Sequence, residues 1–150
     1  MPVPGPPPAP AYNGPVKPTI AAITLDLDDT LWPFAPIGQH IDRVLDHWLQ
    51  THSPATAAMF PVPAMQALRE RTWHAHPELA HDLSQLRRLT LEAAFSASGA
   101  PLDLVEPAYQ AFYAARNHVT FYDDALAALE RIAAGFPVGA LTNGNADLAA

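Results

Sequence analysis

Cysteine is absent from this chain, and lysine occurs once, at Lys17. The first absence excludes disulfides, thiolate metal sites and a cysteine nucleophile. The second leaves arginine to carry nearly all the positive charge, at positions 43, 69, 71, 87, 88, 116 and 131, of which only Arg87 and Arg88 are adjacent. No basic stripe is present to displace counterions from a phosphate backbone, so a chain of formal charge −7 has no evident nucleic-acid surface. Long apolar runs are also missing. Nothing approaches the roughly 18 residues that a membrane helix needs, which excludes a membrane partner of that kind. The N-terminus lacks the basic start and apolar core of a signal peptide, so a cytoplasmic setting is expected.

What is present is a globular composition, 49% apolar and 15% charged over 150 residues, enough for one domain or a small domain and part of another. Residues 1–18 hold eight of the seventeen prolines and read as a disordered Pro-rich tail. A ligand for a proline-binding adaptor is the alternative reading of that tail.

Order begins with Thr19 to Leu27, a nearly continuous apolar run of the kind a parallel strand covered on both faces requires. It ends in TLDLDDTLW, with three carboxylates, Asp26, Asp28 and Asp29, in four residues. Residues two apart on a strand share a face, so Asp26 and Asp28 should point together. At about 6.5 Å and an effective dielectric near 20 they repel by roughly 2–3 kcal/mol, a cost that points to chemistry. Paired carboxylates suit divided labour, one as nucleophile or metal ligand and the other as general acid and base. A calcium loop of the EF-hand type fails, because the positions needing Gly and Glu hold Leu31 and Ile37. A helix N-cap role for Asp28 or Asp29 leaves the neighbouring acids unexplained.

From Ile37 the apolar period becomes helical. Ile37, Ile41, Val44, Leu45, Trp48 and Leu49 form one stripe. A second helix is expected from Pro63 to about His74, interrupted by Pro77. Leu79, Leu83, Leu86, Thr90 and Ala93 make a third stripe that stops near Gly99. Asp103 is a candidate cap for a fourth helix carrying Leu104, Ala108, Phe112 and Ala115. Asp123 is a candidate cap for a fifth, with Leu126, Leu129 and Ile132 on its stripe and Gly135 as its left-handed terminator. Val138 to Thr142 then reads as a second strand, running into Asn143-Gly144-Asn145. Asn143-Gly144 is compatible with a hairpin turn, but the helical character of the following ADLAA favours a loop. The order strand, long helical stretch, helix, strand implies an α/β fold: a partial Rossmann-like parallel sheet with an inserted α-helical domain.

Asp-Leu-Asp-Asp-Thr-Leu-Trp after an apolar strand resembles the first motif of the haloacid-dehalogenase-like hydrolase superfamily, and Leu141-Thr142-Asn143-Gly144 resembles its second. LTNGNADL, with HPELAHDLSQLRR in the helical stretch, further resembles a bacterial subgroup that dephosphorylates flavin mononucleotide and related riboflavin-pathway phosphates. The resemblance implies residues 19–32 as first core strand and motif, 33–121 as a helical cap, and 122–150 as a second core helix and strand. It implies Asp26 as the nucleophile that becomes an aspartyl-phosphate and Asp28 as the acid and base. Thr142, Asn143 and Gly144 would bind the phosphoryl oxygens. Mg²⁺ would be held by the Asp26 carboxylate, the Asp28 main-chain carbonyl and a later acid. The substrate would be a small phosphorylated metabolite, flavin-mononucleotide-like in the subgroup.

Asp28 favours phosphoester hydrolysis within that superfamily, because halide leaves without a proton and the dehalogenating branch lacks the second Asp. The phosphonate-cleaving relatives need a cap lysine, which residues 33–121 do not contain. The superfamily's third-motif lysine and fourth-motif acids also have no counterpart, since the sole acid beyond Glu130 is Asp147. The chain therefore reads as the first half of such an enzyme, weakly active or inactive alone. A non-catalytic fragment acting as a helical protein-binding module is the alternative.

Several weaker features have two readings. His74, His76 and His81 are able to ligate zinc but fit surface or interhelical positions better. His81, Asp82 and Arg87 either select substrate or form a salt-bridge network. Trp32, Phe34, Trp48 and Trp73 either stack on a flavin-like ring or pack in the core.

Overall fold

The apolar stretch leading into the acids does become a strand, but a short one. The computed structural model describes residues 19–145, and in it β1 covers Ile23–Leu25 rather than all of Thr19 to Leu27. A ladder extends only as far as its partner. Among the described residues that partner is β2 (Val138–Ala140), parallel to β1, with Ile23 opposite Val138, Thr24 opposite Gly139 and Leu25 opposite Ala140. The Pro-rich tail and Asp147 lie outside the described residues.

A parallel pair needs a crossover. Here it comprises α1 (Phe34–His52), α2 (Pro54–Met59), α3 (Val62–Ala75), α4 (Leu83–Ser98), α5 (Val105–Arg116) and α6 (Ala125–Ala133). The fold is α/β, mostly helical, with a small parallel sheet and a helical insertion between its strands. No helix among the described residues is long and apolar enough to cross a membrane.

Several boundaries differ from expectation for local reasons. α2 was hidden in the sequence because six residues are too few to show a helical period. Pro77 opens a 3₁₀ turn over Pro77–Leu79, so Leu79 lies outside α4. α4 is capped at its start by Asp82, whose Oδ1 accepts a 2.8 Å bond from the Gln85 amide, and at its end by Gly99, whose φ of +70° only glycine adopts freely. Asp103 caps nothing; it sits within a 3₁₀ turn (Leu102–Leu104), and Leu104 precedes α5 without a side-chain cap. Asp123 is also not the cap. Asp124 precedes α6 with φ −99° and ψ −7°, and no side-chain bond closes that end. Leu104 has no side-chain acceptor to offer, and Asp124 has a near-helical backbone where a capping side chain needs an extended one to curl over the first amides. Gly135 is no left-handed terminator either. α6 ends through right-handed Ala134, and the Phe136 amide bonds the Ile132 carbonyl.

The core sits in the insertion. Ile37, Ile41, Leu45 and Leu49 line one face of α1, each at most 4% exposed. They join Leu91, Ala94 and Phe95 of α4 and Ala108, Phe112 and Ala115 of α5 in one apolar cluster. The buried face of α4 is thus wider than the stripe read from its sequence. Leu27 and Trp32 belong to the same cluster, so the acid-bearing turn is fastened to the helices as well as to the sheet.

Candidate active site

The acidic turn begins where β1 ends. Leu27 is buried, and its carbonyl accepts bonds from the Thr30 and Leu31 amides, which folds the chain back on itself. Asp29 takes φ +57°, an uncommon conformation for which aspartate is among the better-suited residues. The Asp29 amide bonds the Trp32 carbonyl, and its Oδ1 accepts a 2.8 Å bond from the Phe34 amide at the start of α1. One of the three acids is therefore structural, tying off the first turn of α1, whose leading amides have no internal partner.

The other two acids differ sharply in environment. Asp26 is exposed and makes no hydrogen bond among the described residues. Asp28 is held on both oxygens. Its Oδ1 accepts the Trp32 Nε1–H at 2.8 Å, and its Oδ2 accepts the Arg116 Nη2–H at 2.6 Å. Arg116 ends α5 and is 3% exposed, so the pair joins β1's turn to the insertion across 88 positions of sequence. Its other terminal nitrogen, Nη1, is buried without a partner among the described residues.

The loop after β2 closes against the same point. Thr142 Oγ1 accepts the Gly144 amide at 3.1 Å, and no hairpin forms among the described residues. A Cβ on Gly144 would lie 3.1 Å from Arg116 Nη2, 3.2 Å from Asp28 Oδ2 and 3.3 Å from Thr142 Oγ1, so only glycine fits there without displacing them. Asp28, Thr142 and Gly144 are thus brought together. Asn143 is exposed, and Asn145 Nδ2 reaches Ser84 Oγ on α4 at 3.4 Å.

This cluster opens into a cavity of about 550 Å³ between the acid turn and the helices, lined among others by Asp28, Gly144, Arg116, Arg87, Phe34 and Trp73. Phe34 and Trp73 are 38% and 41% exposed and present ring surface to it. Trp32 does not. It is 7% exposed, packs edge-on against Phe121 at 5.2 Å, and donates to Asp28. Trp48 is also away from the cavity, stacked on His52 at 4.3 Å.

The salt-bridge network considered for His81, Asp82 and Arg87 does not form. Asp82 is committed to capping α4, His81 is exposed, and Arg87 makes no ion pair among the described residues. His76 pairs with Glu78 at 3.1 Å, and no three potential metal-ligating side chains gather among the described residues.

Sequence reasoning did not single out Arg116. A signal existed, since Arg116 lies four residues beyond Phe112 and so falls on the buried face of α5, where a charge must be paired.

Two known proteins share this stretch. The chain is 30% identical over 131 residues to the 5-amino-6-(5-phospho-D-ribitylamino)uracil phosphatase YigB of Escherichia coli (strain K12), covering 85% of this chain and 55% of that protein. The crystal structure of a 2-haloacid dehalogenase from Pseudomonas syringae pv. Tomato DC3000 superposes with a TM-score of 0.77 at 32% identity, over 87% of this chain and 58% of that one. No family model matches. This chain thus spans a little over half the length of each protein it matches. Over that span it is haloacid-dehalogenase-like in both sequence and fold.

Proposed function

We propose that the chain carries the nucleophile and the acid–base of a Mg²⁺-dependent phosphatase, with the helices of residues 33–121 as its cap and a small phosphorylated metabolite as substrate. The observation that supports this reading is the convergence of Asp28, Thr142 and Gly144 at the carboxyl end of a parallel strand pair, with Asp26 exposed two residues before Asp28 in the chain. Asp28 favours ester hydrolysis over halide release, because an alkoxide needs a proton to leave and a halide does not. The likeness to a ribitylaminouracil phosphatase supports a phosphate ester of a polyol attached to a planar ring, in keeping with a flavin-mononucleotide-like ligand.

In the reaction, an Asp26 oxygen attacks phosphorus while the P–O bond to the leaving group breaks, and Asp28 delivers the proton that the departing oxygen takes up. Asp28 then accepts a proton from the water that attacks phosphorus, releasing phosphate and restoring the Asp26 carboxylate. The Thr142 hydroxyl and the Asn143 amide bind the phosphoryl oxygens, and the Gly144 amide joins them only if it leaves Thr142 Oγ1. In the arrangement described, both Asp28 oxygens accept hydrogen bonds, so proton transfer at either oxygen requires its present partner to move aside.

The donors suit a hard cation. The Asp28 carboxylate is committed to Arg116 and Trp32, so Asp28 would contribute its main-chain carbonyl and Asp26 its carboxylate. These are two oxygen donors of the kind Mg²⁺ accepts while keeping most of its waters. When bound, Mg²⁺ supplies the positive charge that lets an anionic nucleophile approach an anionic phosphate.

Turnover of phenyl phosphate with Mg²⁺ provides the test. Asp26→Asn should abolish it, and turnover retained in that variant refutes the nucleophile assignment. Asp28→Asn should slow esters with poor leaving groups more than esters with good ones.

A further inference from the structure

Arg87 presents a physical problem that the proposed chemistry does not solve. Arg87 lies on α4, lines the cavity, is 8% exposed as a whole residue, and makes no hydrogen bond or ion pair among the described residues. Its charged plane lies over the Phe112 ring at 4.3 Å, which covers one face and leaves its N–H donors unused. Burial pushes its pKa down to about 10; repulsion from Arg69 adds to this, against partial relief from Asp42 and Tyr109. The nearby polar side chains are otherwise engaged, since Gln66 Nε2 donates to Asp42 Oδ2 at 2.6 Å. None of its nitrogens is sealed from solvent in the way Arg116 Nη1 is, so its unused donors face the cavity and are available to an acceptor that enters it.

Its placement identifies what that would be. Phe112, beneath Arg87, and Arg116, which grips Asp28, are four residues apart on α5, or about 6 Å along the helix. Arg87 and the Asp28–Gly144 cluster therefore line one cavity, whose wall also carries the Phe34 and Trp73 rings. We propose that Arg87 is the specificity-determining residue of this cavity, taking the non-phosphate end of the substrate through an oxygen-acceptor group, a carboxylate or a ring carbonyl, while the phosphate sits at the Asp28–Gly144 end. This assignment rests on the phosphatase reading for the position of the phosphate. It adds a two-point ligand: a phosphate ester bearing a second oxygen acceptor, with the Phe34 and Trp73 rings of the same cavity open to a planar portion.

Calorimetric binding of matched phosphate probes in the presence of Mg²⁺ tests it. 4-Carboxyphenyl phosphate is compared with phenyl phosphate, and uridine 5′-monophosphate with ribose 5-phosphate. The protein should bind the acceptor-bearing member of at least one pair about tenfold or more tighter, and the pair that shows the preference identifies carboxylate or ring carbonyl as the source. Arg87→Met should erase that preference while leaving the affinity for the plain member within about twofold, and Arg87→Lys should restore only part of it. Arg87→Met should also fold with unchanged or raised thermal stability, because it replaces an unpaired buried charge with an apolar chain of similar length. Equal affinity within both pairs, or a preference that survives Arg87→Met, overturns the assignment while leaving the phosphatase reading intact. Failure of every phosphate probe to bind overturns both.

Discussion

Leu91, Ala94 and Phe95 on α4 have no exposed surface, whereas Leu126 on α6 is 54% exposed and Leu141 beyond β2 is 70% exposed. The exposed region is the more apolar in sequence, with seven of the nine residues of α6 apolar against eight of sixteen in α4, so composition does not explain the difference. The difference lies in covering layers. α4 is flanked by α2, α3 and α5, while Val138, Gly139 and Ala140 of β2 are exposed throughout. An apolar stripe is a demand for a partner, and the insertion meets that demand internally. The acid cluster stands at the seam between the two regions, with Asp28 fastened to the insertion through Arg116 and Trp32.

If stability resides in the insertion, its core should dominate chemical denaturation. Phe95→Ala should cost about 3–5 kcal/mol, while Leu126→Ala should change stability by less than about 0.5 kcal/mol. Comparable losses from the two would break the contrast. At the seam, Arg116→Met leaves a quarter-exposed Asp28 carboxylate without its ion-pair partner. It should cost about 1–3 kcal/mol, and adding Asp28→Asn to it should recover part of that loss, as measured by a double-mutant denaturation cycle. The smallest effect belongs to the insertion's surface. Hydrogen bonds from Arg88 and Gln110 hold the Glu106 carboxyl below its ordinary value of 4.5. Its contribution is present above that value and is lost as pH falls through the lower folded value. Glu106→Gln should therefore make stability less sensitive to pH below about 4.5. The change should be slight, because the pair is exposed to solvent.

Features carried by local chemistry could be read directly. The strand before Asp26, the α1 stripe, the Gly99 stop and the acid turn follow from residues within a few positions of one another. Features that depend on a competing backbone state could not. Asp103 and Asp123 look like caps by residue type, but a cap also needs an extended backbone, and residue type does not report that. β1 is three residues long because its ladder partner is three residues long, a property of β2 rather than of β1.

The acids illustrate the same division. Their spacing alone marked Asp26 and Asp28 for chemistry, and it offered no way to rank them or to distinguish Asp29. Tertiary structure gave Asp29 to the start of α1, left Asp26 exposed, and clamped Asp28 between Trp32 and Arg116. It also left Arg87 buried without an acceptor, although the sequence offered Asp82 and Glu92 within five residues.

The sequence by itself determined the order of the two strands and the longer helices, the acid-bearing turn at the end of a parallel strand, and the likeness to haloacid-dehalogenase-like hydrolases. Those are encoded in periodicity and short motifs, which a chain carries regardless of how it packs. Only the tertiary structure decided which charges are matched and which are not. Coulomb and hydrogen-bond energies depend on separation in space, and the residues that settle them here, Asp28 with Arg116 and Arg87 with Phe112, lie 88 and 25 positions apart.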